Sequence, residues 1–228
     1  MIAIFFLITI LFFACSEPLG WICLILTLWC IFFFRDPTRI IPDGENLIIS
    51  PADGIVQSIT RSQMPIELGC DDDMHRVSIF LNVFDVHVNR IPIGGEIKKM
   101  HYRHGKFINA SLDKASIDNE RQSVLINRKN EHVGLVQIAG LVARRIVCNL
   151  VEKQTVQAGD RFGIIKFGSR VDLYLPLDIA IKVKVGQRMI GGETIIAEMR
   201  QDGTYIPNIT SQPEKVIIKK DEKNHALE

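Results

Sequence analysis

The sequence predicts an α+β fold, rich in β-strand, with an apolar helical hairpin at its N-terminus. Three observations carry this. Residues 2–34 hold one acidic residue, Glu17, and no basic one. From residue 47 onward, short β-branched runs alternate with Gly, Pro, Asn and Asp, the punctuation of strands and turns. A chain of 228 residues also has room for one sizeable domain and an appendage.

The appendage reads as a membrane device. Two apolar runs, residues 2–14 and 21–34, flank the break Ser16-Glu17-Pro18-Leu19-Gly20. As a helix, each run would extend roughly 20 Å, short of the ~30 Å hydrocarbon core of a bilayer. Two such helices joined at the break suit a hairpin that dips into one leaflet; a single bent span is the alternative. A signal peptide is disfavoured, because the start lacks a basic segment and a second apolar run follows. Arg35 and Arg39 come next. By the positive-inside bias they place the rest of the chain on the cytoplasmic side of the cell membrane. The expected organisation is a membrane-anchoring hairpin over residues 1–34 and a body over 35–228.

Within the body, residues 54–59, 76–83, 123–127, 132–140 and 161–167 read as strands. Residues 143–150 are apolar enough for a strand or a short buried helix. The run 180–198 has Gly186, Gly191 and Gly192 at turn positions between β-branched segments. It resembles the hammerhead hairpins of biotinyl and lipoyl carrier domains, as does Ser50-Pro51-Ala52-Asp53-Gly54-Ile55-Val56. Neither segment sets a lysine between methionines, so the likeness points to a barrel-sandwich, hammerhead-like core and not to a carrier. Beyond residue 218 the tail is charged, and disorder is expected there.

Composition excludes several classes. The formal charge is +1, with no basic field for nucleic acid. Five cysteines, odd in number and without a C-x-x-C pair, argue against a disulfide framework or a zinc site. No P-loop or dinucleotide glycine fingerprint is present, and no metal is implied.

Five segments carry the chemistry. They are Arg35-Asp36-Pro37-Thr38-Arg39; Ser50-Pro51-Ala52-Asp53-Gly54; and Asp85-Val86-His87-Val88-Asn89-Arg90-Ile91-Pro92. The fourth joins Asn119-Glu120-Arg121 with Gln137-Ile138-Ala139-Gly140 and Ala143-Arg144-Arg145-Ile146. The last runs from Arg161-Phe162-Gly163 to Phe167-Gly168-Ser169-Arg170-Val171-Asp172. In order and spacing they resemble the phosphatidylserine decarboxylase proenzymes in their short, pyruvoyl-dependent form, over about residues 35–205.

That resemblance implies an enzyme that cuts itself and makes its own cofactor. The Ser169 hydroxyl would attack the Gly168 carbonyl, and elimination would release a β chain, residues 1–168. A pyruvoyl group derived from Ser169 would head the α chain, residues 169–228. Gly168 offers no side chain to block the attack and tolerates unusual backbone geometry. The pyruvoyl carbonyl would form a Schiff base with phosphatidylserine and act as electron sink, yielding phosphatidylethanolamine and CO2. Implied partners are a phospholipid substrate, the membrane and the chain's own two fragments as a heterodimer, with a higher homo-oligomer left open.

The family uses an Asp-His-Ser set for self-cleavage. Asp53 matches the aspartate and His87 the first of two histidines found in longer members. Arg90 stands where the second would be. The expectation is therefore that His87 serves both self-cleavage and decarboxylation, with a histidine's ability to exchange protons near neutral pH. Arg90 would bind anionic substrate, and Arg144 and Arg145 would meet the substrate phosphate or anionic lipid. Plainer readings stand beside these: Asp53 as a turn cap, His87 as a buried structural residue, Arg144-Arg145 as a solvated pair. Two rival functions also remain, decarboxylation of a related serine-headed ether lipid and a non-enzymatic, membrane-anchored barrel or carrier.

Overall fold

The two apolar runs fold as α1 (Ile2–Cys15) and α2 (Glu17–Phe33) in the computed structural model, which describes residues 2–70, 72–112, 114–129, 131–141, 145–166 and 168–199. Pro18 sits in the first turn of α2, where its missing N–H leaves no bond unmade. The helices run antiparallel. Phe13 meets Trp21 edge to face at 5.5 Å, and the Thr9 and Thr27 hydroxyls lie 2.9 Å apart across the interface. Each threonine is buried and also bonds a carbonyl of its own helix, at Phe5 and Cys23, so neither hydroxyl is stranded. Gly20 makes the close packing possible: a β-carbon there would fall 2.4 Å from the Phe13 ring. The outer faces remain apolar, with Leu7, Leu11, Ile25 and Leu28 exposed. Among the described residues no helix is long and apolar enough to cross a membrane.

Thirteen strands follow among the described residues. They are β1 (Leu47–Ile49), β2 (Gly54–Gln63), β3 (Asp73–Leu81), β4 (Val88–Arg90), β5 (Gly95–Arg103), β6 (Arg121–Arg128) and β7 (Glu131–Ile138). Then come β8 (Ile146–Cys148), β9 (Thr155–Val156), β10 (Arg161–Ile165), β11 (Ser169–Pro176), β12 (Arg188–Met189) and β13 (Ile195–Glu198). A short helix, α3 (Ala115–Asp118), precedes β6. Eight strands form one curled, antiparallel sheet in the order β12-β2-β3-β11-β7-β6-β5-β9. A three-stranded sheet, β4-β10-β8, and the pair β1-β13 complete the body.

Strand alternation separates two apolar layers. Val77, Ile79, Leu81, Leu135, Val171 and Leu173 point into the main core, and Met74, Val136, Ile138 and Tyr174 pack on the opposite face of the same strands. The segments expected as hammerhead-like meet each other: β12 pairs with β2, setting Met189 opposite Gly54, and β13 pairs with β1. Of the ambiguous stretch 143–150, residues 146–148 are a strand. Arg144 and the charged tail lie outside the described residues.

Candidate active site

β11 begins at Ser169, which pairs with Leu81 at the end of β3. Val171 pairs with Ile79 on the same side, so alternation turns Ser169 inward with the main core. Ser169 is fully buried, and its hydroxyl has no hydrogen-bond partner among the described residues. Such a buried polar atom calls for an explanation in strain, chemistry or a bound water. Before it, Gly168 has φ +62°, and a β-carbon at that position would touch nothing within 4 Å.

A tight loop carries His87 away from β3, the strand that pairs with Ser169. After β3 the chain turns back on itself: the Asp85 N–H donates to the Asn82 carbonyl at 3.0 Å, and the Asn82 N–H donates to the Asp85 carboxylate at 2.9 Å. The segment then becomes β4, whose Val88 pairs with Ile164 of β10. His87 therefore lies in the connection between β3, whose Leu81 pairs with Ser169, and β4, which pairs with β10. Its Nδ1 bonds the Asp85 carbonyl at 2.9 Å. A carbonyl only accepts, so Nδ1 carries the proton and Nε2 carries a lone pair. That Nε2 is buried and has no partner among the described residues. Burial pulls the His87 pKa down to about 4; the neighbouring Asp85 and Asp53 carboxylates resist this, and Arg35 adds to it. The imidazole is neutral at pH 7, with Nε2 free to accept a proton, though as a base it is weaker than an ordinary histidine.

Asp53 lies in the β1–β2 turn. Its carboxylate takes two bonds from Arg39, at 2.8 and 2.9 Å, and one from the Gly191 N–H at 2.7 Å. Its charge reaches His87, but its hydrogen bonds go elsewhere. Arg90 is buried and likewise engaged, donating to Asp36 at 2.8 Å and to the carbonyls of Gly159 and Pro37. Asp36 also pairs with Arg161 at 2.7 Å. The 35–39 segment is thus clamped onto the body by residues from three of the motif segments. Arg145 is exposed; its carbonyl accepts from the Lys166 N–H at 3.2 Å.

Three features of the site are not visible in the motifs taken singly. Gly140 abuts the 168–169 peptide, because a β-carbon there would lie 2.0 Å from the Gly168 carbonyl oxygen. Asn119 secures this wall: its amide donates to the Ala139 carbonyl at 2.7 Å and to the Ile108 carbonyl at 2.8 Å. Arg170, 1 % exposed, pairs with the fully buried Asp172 at 2.9 Å and donates to the Ala110 and Leu112 carbonyls and to Ser116. It ties the 110–116 loop to the strand that starts at Ser169.

The family model described as phosphatidylserine decarboxylase matches residues 26–197. Proteins named phosphatidylserine decarboxylase proenzyme are close relatives. That of Rickettsia bellii (strain OSU 85-389) is 57% identical over 205 residues, 89% of each chain. The Rickettsia akari (strain Hartford) protein is 59% identical over 199 residues, 86% of each chain. The Rickettsia typhi protein is 56% identical over 205 residues, again 89% of each. A family match over most of the body, with close relatives covered over nearly their whole length, shows that this chain belongs to the phosphatidylserine decarboxylase family of enzymes.

Proposed function

We propose that the chain matures by breaking its own Gly168–Ser169 bond, and then decarboxylates phosphatidylserine to phosphatidylethanolamine and CO2 through a pyruvoyl group formed from Ser169. One observation carries the reading: a fully buried serine hydroxyl without a hydrogen-bond partner among the described residues follows a glycine held at positive φ. The relatives are named as proenzymes, which fits a chain made as a precursor.

In the first step the Ser169 oxygen adds to the Gly168 carbonyl carbon while the neutral Nε2 of His87 takes the hydroxyl proton. Collapse breaks the peptide C–N bond, the nitrogen regains a proton, and an ester joins the two residues. Loss of the Ser169 α-proton and of the ester oxygen from Cβ then frees residues 1–168 as a carboxylate. Hydration of the remaining double-bonded residue releases ammonia and leaves a ketone at position 169. The buried pocket of Ser169 suits such a group, since it is small and neutral. When formed, it supplies a carbonyl for the substrate amine and a sink for the electron pair left by CO2.

The remaining roles belong to this chain's own side chains. His87 holds and returns the proton at the former α-carbon. Asp53 biases His87 through its charge and, with Arg39, closes the 35–39 segment over the site. The guanidinium of Arg90 is taken up by Asp36 and two carbonyls, which favours linker clamping over substrate binding. Cations suited to the substrate phosphate stand near the base of the hairpin: Arg35 over the Phe32 ring, Lys166 beside the Phe34 ring, and Arg145 next to Lys166. Arg144 is assigned to the same group from sequence. The apolar hairpin would seat the body on the inner face of the cell membrane, where a diacyl substrate needs only to lift its head group. The two fragments stay together as a heterodimer, because β11 of the α chain is paired on both sides by β3 and β7 of the β chain.

The direct test is conversion of phosphatidylserine in mixed vesicles by the purified full chain, before and after treatment with hydroxylamine. Product formation that hydroxylamine abolishes supports the pyruvoyl reading. Product formation indifferent to a carbonyl reagent would sink it.

A further inference from the structure

The second apolar helix ends inside the active site. Phe33, the last residue of α2, is fully buried, although Ile25, Leu28, Ile31 and Phe32 of the same helix are exposed. Its ring lies against the imidazole of His87, with centroids 4.2 Å apart and planes tilted by 34°. Phe34 packs edge-on behind it at 5.0 Å. Arg35 then reaches the loop that carries His87, donating to the Phe84 carbonyl at 3.1 Å. Membrane anchoring alone calls for outward apolar surface. A phenylalanine turned inward onto a buried imidazole has another use.

We propose that Phe33 is a positioning residue for His87: the anchor helix supplies one wall of the active site, and its last ring fixes the plane of the imidazole. The proposal rests on His87 being the base for self-cleavage. A histidine ring turns over a broad χ2 range, and one bond from Nδ1 to the Asp85 carbonyl leaves rotation about that bond open. The Phe33 ring against the imidazole removes that freedom, and under the proposal it would hold Nε2 toward the 168–169 bond. It also keeps water out. The charged groups near His87 are Asp85 in its own loop, Arg35 just after α2 and Asp53 in the β1–β2 turn; burial, with Arg35, outweighs the two carboxylates.

The test compares the full chain with Phe33→Ala, Phe33→Leu and Phe33→Tyr, freshly synthesised in the presence of vesicles. The rate of self-cleavage is followed by intact mass across pH. Phe33→Ala is expected to slow cleavage at pH 7 on the order of 10- to 100-fold, as small misplacements of a catalytic group do. Admitting water should also move the acid limb of the profile upward from about 4 toward the ordinary histidine value. Phe33→Leu keeps apolar volume without a flat ring, so its rate should fall while its acid limb stays low. Phe33→Tyr keeps the ring and should retain the wild-type rate. Wild-type rates in both the Ala and Leu chains would overturn the proposal, as would equal losses in all three that track thermal stability. A wild-type chain that stays uncut would instead remove the self-cleavage reading on which the proposal rests.

Discussion

Gly140 approaches Gly168 so closely that a β-carbon at position 140 would sit 2.0 Å from the Gly168 carbonyl oxygen. That carbonyl is the group the Ser169 hydroxyl would attack. The two glycines are therefore needed for different reasons. At position 140 the constraint is space; at 168 it is φ, since a β-carbon there meets nothing within 4 Å but the backbone stands at +62°. Gly168→Ala should fold with a loss of about 1–2 kcal/mol, the usual cost of left-handed geometry for a residue with a side chain. It should still cleave, more slowly. Gly140→Ala should displace the scissile carbonyl and abolish cleavage. Denaturant unfolding and intact mass together would separate the two, and the reverse order would contradict this geometry.

His87 should make both stability and self-cleavage rate depend on pH. Its folded pKa, about 4, lies below the value near 6.5 of an unfolded chain. Between these values the unfolded chain binds the extra proton, so stability rises with pH and is lost as pH falls from about 6.5 through 4. The full effect is about 3 kcal/mol. His87→Gln should flatten that part of the stability curve, measured by urea unfolding across pH, and slow self-cleavage at pH 7 by at least about 100-fold. A His87→Gln chain that cleaves at the normal rate would remove His87 from the reaction.

Arg170 and Asp172 form a buried ion pair on the strand that begins at Ser169. Removing one partner strands the other's charge in the protein. Arg170→Met should cost about 3–5 kcal/mol, and it should also release the 110–116 loop from the cleavage bond. The double variant Arg170→Met with Asp172→Leu should recover much of the stability. It should not recover the cleavage rate, because the bonds to the Ala110 and Leu112 carbonyls are still missing. Thermal unfolding and mass analysis of the three chains test both halves.

Much of this was legible in the sequence because it depends on local pattern. The apolar hairpin, the strand runs and the turn glycines follow from composition and alternation, and the structure bears them out. Ser169, His87 and Asp53 stood out because their segments, each weak alone, match one family together in order and spacing. What those residues bond to was not legible, because the partners are distant in sequence. Arg39 holds Asp53 from 14 residues away, and Arg90 holds Asp36 across 54. Phe33 was hidden for a different reason: within Ile31-Phe32-Phe33-Phe34 nothing in residue type says which ring turns inward. The Arg170–Asp172 pair left a fainter signal, two opposite charges on one face of an otherwise apolar strand.

The central claim is that Ser169 cuts the chain and becomes its cofactor, and intact-mass spectrometry of wild type beside Ser169→Ala tests it most directly. The account predicts two wild-type fragments, residues 1–168 and 169–228. The smaller should be about 17 Da lighter than a peptide beginning with serine, and Ser169→Ala should remain one chain. A folded wild-type protein that stays whole at 228 residues would contradict the account.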